Sequence, residues 1–135
     1  MKNKLVAAIV LALVTFAFVG CSKDDDNPQT GGSIDAAIGT YKGKLEVIGQ
    51  PDRFDQTIMV TKVSNERIKI TVGDASLNLP DREFNVSNNY DFSITSAGIS
   101  TGGTFAYDIK EKSVVYQAEP TAEGEVLFTF KGDKQ

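Results

Sequence analysis

The chain of 135 residues is small and acidic, with 18 aspartates and glutamates against 14 lysines and arginines and a net charge of −4. It contains no histidine, no tryptophan and one cysteine, which excludes histidine triads, histidine metal sites and a disulfide framework. The acidic balance and the lack of a basic stretch also argue against a nucleic-acid partner.

The N-terminus has the pattern of a secretory signal. Lys2 and Lys4 form a short basic start, and residues 5–19 carry no charge and one polar side chain, that of Thr15. This apolar run is shorter than the roughly 20 residues that a membrane-spanning helix needs, and the small residue Gly20 follows it. We therefore predict a signal peptide over residues 1–20. Its removal leaves 12 of the 14 basic residues against all 18 acidic ones, so the mature net charge becomes −6.

Phe18-Val19-Gly20-Cys21 resembles the bacterial lipobox, in which a large apolar residue, a small or branched residue and Gly or Ala precede a cysteine. Phe18 stands where Leu is usual. The resemblance implies cleavage before Cys21, a diacylglyceryl thioether on its sulfur and acylation of its new amino group. Each buried CH₂ contributes about 0.8 kcal/mol, so two or three acyl chains would anchor the protein stably. The other interpretation is a free buried thiol in an unprocessed chain.

Ser22-Lys23-Asp24-Asp25-Asp26 follows the cysteine and is typical of a solvated acidic spacer. It resembles the lipoprotein export signal of Bacteroidetes, which implies transfer to the outer face of the outer membrane. The periplasmic face of that membrane is the alternative location. A calcium loop is rejected, because it needs acids at alternating positions and a Gly at the sixth place, which this cluster lacks.

Residues 21–38 are predicted to connect the lipid anchor to the folded domain. The segment 27–33 is rich in turn-forming residues and shows no hydrophobic period, which indicates a flexible tether. Residues 34–38 predict a single helical turn that ends at Gly39.

From Gly39 to the end of the chain, apolar and polar residues alternate with the two-residue period of half-buried strands. The segments with this pattern are 41–47, 56–63, 68–72, 77–79, 84–86, 90–95, 105–109, 114–118 and 126–130. About eight short strands with short connections predict an all-β, antiparallel up-and-down barrel over residues 39–135. A two-sheet sandwich is the competing solution.

Three segments of this domain resemble the small calycin-like, lipocalin-like lipoproteins of Bacteroidetes. They are Gly39-Thr40-Tyr41-Lys42-Gly43-Lys44-Leu45, Gln56-Thr57-Ile58-Met59-Val60-Thr61-Lys62 and Phe128-Thr129-Phe130-Lys131-Gly132. The first looks like the Gly-x-Trp opening of lipocalins and avidins, with Tyr in place of Trp. The resemblance implies an up-and-down barrel of eight or so strands, and it supplies no activity or binding residues.

Large apolar side chains are predicted to face the barrel interior. They are those of Tyr41, Leu45, Ile70, Phe84, Phe92, Phe105, Tyr107, Tyr116, Phe128 and Phe130. Aromatic walls with a few hydroxyl groups suit a small apolar ligand, and the candidate ligand contacts are Tyr41, Phe92, Phe105, Tyr107, Tyr116 and Phe128. A barrel of about eight strands is just wide enough to be filled by its own side chains or to hold one small ligand. A packed core therefore stays the alternative.

Two features outside the interior are weaker candidates. Glu119, Glu123 and Glu125 flank one turn, and paired carboxylates can cleave a glycosidic bond, but nothing else in the chain builds a sugar cleft. We interpret them as solvated acids. The glycine-rich segment 97–103 is the strongest candidate for a functional loop, and a flexible connection is its simpler interpretation.

The sequence thus predicts a non-enzymatic lipoprotein of the outer membrane, without a cofactor, that contacts the membrane through its lipid anchor. As a lipocalin-like binding module it would hold a small apolar ligand. The alternative is a protein-interaction or accessory module of a cell-envelope complex, with a filled barrel. An enzyme has the least support, since His, a free Cys and every catalytic motif are missing.

Overall fold

The computed structural model describes residues 32–98 and 101–135. These residues form eight strands and two short 3₁₀ turns, Asp35–Ala37 and Ala75–Leu77. The strands are β1 Gly39–Val47, β2 Arg53–Ser64, β3 Arg67–Val72, β4 Arg82–Asn89, β5 Ser93–Ser96, β6 Gly103–Asp108, β7 Ser113–Ala118 and β8 Phe128–Lys134. The predicted signal peptide, Cys21 and the acidic export signal lie outside the described residues.

Each strand pairs antiparallel with the next one along the chain, and β8 pairs with β1 to close the barrel. The predicted all-β up-and-down barrel is therefore confirmed, and the sandwich is wrong. Closure satisfies the outer hydrogen-bonding groups of β1 and β8, which would otherwise form exposed edges. At this seam Gly43 lies opposite Gly132. A Cβ atom on either glycine would collide with the facing backbone, so the two glycines let the strands meet.

Alternation along the strands directs one set of side chains into the barrel. In β6 every second residue is buried, and β3 shows the same period. The buried aromatic rings meet edge to face, with Tyr116 against Phe84 and Phe128 at centroid distances of 5.8 and 5.6 Å. Such contacts stabilise a core beyond its buried area.

Two predicted strand segments are wrong. The segment 77–79 lies in the connection from β3 to β4, where a 3₁₀ turn ends at Asn78 in the left-handed conformation (φ 49°). The segment 90–95 is a strand only from Ser93 onward, because Tyr90 and Asp91 have φ of 53° and 60° and form a turn. A left-handed residue breaks the pleat, so apolar residues spaced by two no longer share a face.

The prediction that Phe92 faces the interior is wrong, because the same turn directs its side chain outward. Its side chain is 76% exposed, and its backbone N–H donates to the carbonyl oxygen of Asn89 at 3.0 Å. Phe92 therefore lies outside the barrel wall.

Successive strands run in opposite directions, so the connections divide between the two ends of the barrel. One end carries the four longer connections, 48–52, 73–81, 97–102 and 119–127. We call this end the mouth. The other end carries the tight turns 65–66, 90–92 and 109–112 together with the N-terminal segment 32–38, and we call it the closed end.

The N-terminal segment plugs the closed end. Ile34 and Ala37 are buried in the core cluster. The hydroxyl of Tyr41 donates to the carbonyl oxygen of Ala37 at 2.7 Å, and the ammonium of Lys134 donates to that of Ala36 at 2.7 Å. The predicted helical turn at the start of the domain is confirmed, and its last carbonyl groups are held by both strands of the closing seam.

Candidate functional site

A groove of about 550 Å³ lies at the mouth, between the connection from β3 to β4 and the connection from β7 to β8. Its lining includes Gln50, Leu77, Leu79, Glu123, Glu125 and Val126. Leu77 and Leu79 also pack against the core cluster, so one wall of the groove is fixed to the barrel. The groove therefore combines apolar side chains with carboxylates on a rigid support.

The position of the opposite wall is set by Arg82, at the start of β4. Its guanidinium donates from Nη2 to Oε2 of Glu125 at 2.6 Å and to the carbonyl oxygen of Glu119 at 3.1 Å. Both acceptors belong to the connection between β7 and β8. The aliphatic part of Arg82 passes over Gly102, where a larger residue would meet it. One side chain thus ties three elements of the mouth together.

Glu125 gathers the rest of the same connection around its carboxylate. Its Oε2 atom accepts hydrogen bonds from the backbone N–H and the hydroxyl of Thr121, at 2.7 and 3.0 Å, and from the N–H of Ala122 at 3.2 Å. The Thr121 N–H bond, followed by the Arg82 bond, lowers the pKa of Glu125 to about 2. Glu125 is therefore ionised, and its Oε2 atom is held by Arg82, Thr121 and Ala122.

The rim of the mouth is acidic. The four mouth connections contain six carboxylates and neither lysine nor arginine. These carboxylates are Asp52, Asp74, Asp81, Glu119, Glu123 and Glu125. Glu125 pairs with Arg82, Asp52 with Lys44 at 2.9 Å and Asp81 with Lys69 at 3.3 Å. The rim acids that form no ion pair within the described residues are Asp74, Glu119 and Glu123, and their charge favours a positively charged partner.

Three buried polar atoms lack a hydrogen-bond partner within residues 32–98 and 101–135. They are the hydroxyl of Tyr116, Nε of Arg82 and Nε of Arg53. Burial raises the pKa of Tyr116, and the nearby Arg82 charge lowers it by a smaller amount. Buried polar groups are almost always satisfied. The Tyr116 hydroxyl and Nε of Arg82 are therefore available to a water molecule or a ligand atom.

Five of the six predicted ligand contacts lie in the interior. Tyr41, Tyr116 and Phe128 have no exposed surface, and Phe105 and Tyr107 are 1% and 3% exposed. Tyr41 and Tyr107 also meet edge to face, at 5.7 Å between ring centroids. The structure thus brings these five together, and it leaves Phe92 outside.

The remaining sequence candidates divide between the rim and the loop. Glu119 and Glu123 are exposed on the same connection as Glu125. In the segment 97–103, Gly102 and Gly103 are buried, and a Cβ on Gly103 would collide with the backbone at Gln117. At Gly103 glycine therefore permits close strand packing, whereas the sequence pattern indicates mobility for the glycines of this segment.

Sequence reasoning missed Arg82 and the mouth groove. The tie joins residues 43 positions apart, and no local pattern connects them. The only available signal was a lone arginine after Pro80-Asp81, at the start of an apolar strand.

Within the described ranges, no group of three or more Asp, Glu, Cys or His side chains is placed to hold a metal ion. No helix in this part of the chain is long and apolar enough to cross a membrane. Comparison of the chain with protein-family models, with curated proteins and with solved structures found no significant match. The functional interpretation therefore depends on the sequence motifs and the geometry of the barrel.

Proposed function

We propose that the chain is a lipid-anchored, non-enzymatic binding module of the bacterial outer membrane, which takes its partner at the mouth of a filled barrel. The observation that carries the proposal is the acidic groove between two long mouth connections, at the end opposite the N-terminal segment. Loops on a rigid barrel commonly carry binding, because the scaffold holds them in place. The fixed wall of Leu77 and Leu79 fits this role.

The packing of the interior favours the mouth over the barrel lumen as the binding site. A side chain bordering a void large enough for water would keep some accessible surface, since the walls of such a void are accessible. Tyr41, Tyr116 and Phe128 keep none. This burial supports a barrel filled by its own aromatic rings, which is one of the two states that a barrel of this size allows.

The chemistry of the groove indicates the kind of partner. Exposed carboxylates on the rim attract positive charge, and Leu77, Leu79 and Val126 offer apolar contact. A basic, amphipathic segment of an envelope protein meets both requirements. Such a partner would bind faster at low salt than at high salt, because the attraction acts between solvated charges.

The anchor is proposed from the lipobox at Phe18 to Cys21 and the acidic cluster that follows it. The test is labelling of cells with palmitate. Wild-type chain should take up the label and run as the processed form, and Cys21→Ser should remain an unlabelled precursor. Normal labelling of Cys21→Ser would rule out acylation at this cysteine. Treatment of intact cells with external protease distinguishes the two locations. A chain on the outer face should be degraded, and a chain on the periplasmic face should be protected.

A second candidate function is the binding of a small apolar ligand inside the barrel, and the unpartnered hydroxyl of Tyr116 favours it. A ligand with one polar atom could satisfy that hydroxyl while its apolar part lies among the aromatic rings. The neutral dye N-phenyl-1-naphthylamine distinguishes the two candidates. Fluorescence enhancement that is lost in Tyr107→Trp and Phe105→Trp supports the interior site. No enhancement supports the filled barrel with binding at the mouth.

A further inference from the structure

Two aromatic side chains extend from the closed end into solvent. Tyr90 is 77% exposed and Phe92 is 76% exposed, the highest values among the large hydrophobic residues described. Both belong to the turn between β4 and β5. These side chains do not contribute to the core, and exposed apolar surface often marks a site of interaction.

A tyrosine at position 90 is unfavourable for the backbone conformation of this turn. Tyr90 and Asp91 both have positive φ, and the N–H of Phe92 donates to the carbonyl oxygen of Asn89. A turn of this form prefers Asn or Gly at the position of Tyr90, because a bulky side chain is strained there. Strained residues that persist often serve a function. Local folding thus does not account for an aromatic residue at this place.

The turn is held rigidly beside the point where the N-terminal segment enters the domain. The amide of Asn88 donates to the carbonyl oxygen of Ser33 at 2.8 Å and to Oδ1 of Asp91 at 2.9 Å. The side-chain oxygen of Asn88 accepts from the N–H of Asp91 at 2.8 Å. One buried asparagine therefore fixes the aromatic turn to the segment that follows the tether.

We propose that Tyr90 and Phe92 form a membrane-docking tip that enters the interface of the same bilayer that holds the Cys21 lipid. This inference rests on the proposed function, because it takes the lipid anchor as given. The eleven residues from Cys21 to Gly31 reach at most about 40 Å when fully extended. As the flexible tether that the sequence predicts, they would keep the closed end closer, with a typical span of about 18 Å. The tip is thus held near the lipid surface at high local concentration.

The identity of the two residues and the charges of the two ends agree with a lipid partner. Aromatic side chains are favoured at the membrane–water interface, and Tyr in particular combines an apolar ring with a hydroxyl that stays hydrated. The turns of the closed end carry Lys110 and Lys112 together with Glu66, Asp91 and Glu111, whereas the mouth connections carry six carboxylates and no lysine or arginine. An anionic surface would therefore repel the mouth more strongly than the closed end. Docking in this orientation leaves the groove facing away from the membrane.

Tryptophan fluorescence tests the tip, because the chain has no tryptophan of its own. The full-length chain is expressed with its signal, purified and reconstituted into vesicles of phosphatidylethanolamine and phosphatidylglycerol that contain brominated phospholipid. The variants are Tyr90→Trp and Phe92→Trp, and the control is Phe54→Trp. Phe54 is 66% exposed at the start of β2, on the mouth side. We expect the indole at position 90 or 92 to be quenched at least threefold more than the indole at position 54.

The possible results separate the tip from the anchor. Equal quenching at all three positions in a chain whose Cys21 carries lipid by mass spectrometry would overturn the tip and leave the proposed function standing. A chain that carries no lipid and does not float with the vesicles would overturn the anchor, and the tip with it. Weak quenching together with dimers that Tyr90→Asn abolishes would assign the aromatic turn to a second copy of the chain.

Discussion

The guanidinium of Arg82 donates to the carboxylate of Glu125 at 2.6 Å, and only 11% and 21% of the two side chains are exposed. This pair joins the first residue of β4 to the connection between β7 and β8. It closes one wall of the mouth groove and leaves Glu119 and Glu123 exposed on the rim. The shape of the proposed binding surface therefore depends on one ion pair.

Arg82→Met should lower the free energy of unfolding more than a surface substitution does, because the hydrogen bonds that are lost join two charged side chains of which only 11% and 21% are exposed. Urea denaturation measures the change. The matched control is Arg67→Met, which breaks the exposed pair with Glu83 (48% and 41% exposed). The control should change stability by less than about 1 kcal/mol. An equal effect of the two substitutions would mean that the mouth pair has no special structural role.

Glu125 should make stability fall in acid. Its pKa in the folded chain is about 2, below the ordinary value of 4.5, so the unfolded chain binds the proton more readily. The stabilisation from the ionised carboxylate is complete above the unfolded pKa and is lost as the pH falls from about 5 towards 2. Asp35 and Asp74 also have lowered pKa values. The informative quantity is therefore the difference in urea midpoint between wild type and Glu125→Gln, which should shrink towards pH 2. A difference that does not vary with pH would contradict the assignment.

Removal of the hydroxyl group should lower stability at Tyr41 but not at Tyr116. Tyr41→Phe removes the hydrogen bond to the carbonyl oxygen of Ala37 and should lower the free energy of unfolding by about 1 kcal/mol. Tyr116→Phe removes a hydroxyl that has no partner within the described residues, so it should leave stability unchanged or raise it slightly. Thermal denaturation of the two variants provides the comparison. A loss in Tyr116→Phe as large as that in Tyr41→Phe would indicate that the Tyr116 hydroxyl is engaged.

Tyr90→Asn should stabilise the domain, although it replaces an aromatic residue. Asn tolerates the positive φ of this position (53°) better than Tyr, and the expected gain is about 0.5–1 kcal/mol. Chemical denaturation of the variant beside Tyr90→Phe, which keeps the strain, isolates the backbone effect. A loss of stability in Tyr90→Asn would show that the ring packs on the protein surface, which would argue against a free tip.

The sequence predicts the barrel well because strand alternation is a local signal. Ile68, Ile70 and Val72 alternate with polar residues in β3, and the structure buries all three. The same rule fails at Phe92, since the apolar period continues from Tyr90 to Ile94 while the backbone turns between them. The turn-forming residues Ser87-Asn88-Asn89 stand just before this turn but lie inside β4, so they do not mark its position. A strained Tyr in place of Asn or Gly hides it.

The candidate site was predictable only in part. The aromatic interior follows from periodicity, but the fact that its residues keep almost no accessible surface depends on the barrel diameter and on how rings from different strands meet. The mouth groove depends on Arg82 and Glu125, which chain folding alone brings together. The lipidation motif differs from both, because it is recognised in the sequence alone and lies outside the described residues.

The measurement that tests the account most directly is the binding of a basic, amphipathic peptide at the mouth of the acylated chain. A dansyl-labelled Lys-Leu-Lys-Leu peptide is titrated against wild type, Glu123→Lys in the groove and Glu111→Lys in a closed-end turn, at low and high salt. We predict binding to wild type that weakens with salt, falls about tenfold in Glu123→Lys, equivalent to about 1.4 kcal/mol, and is unchanged in Glu111→Lys. Absence of binding, or an equal loss in both variants, would contradict a binding site at the mouth.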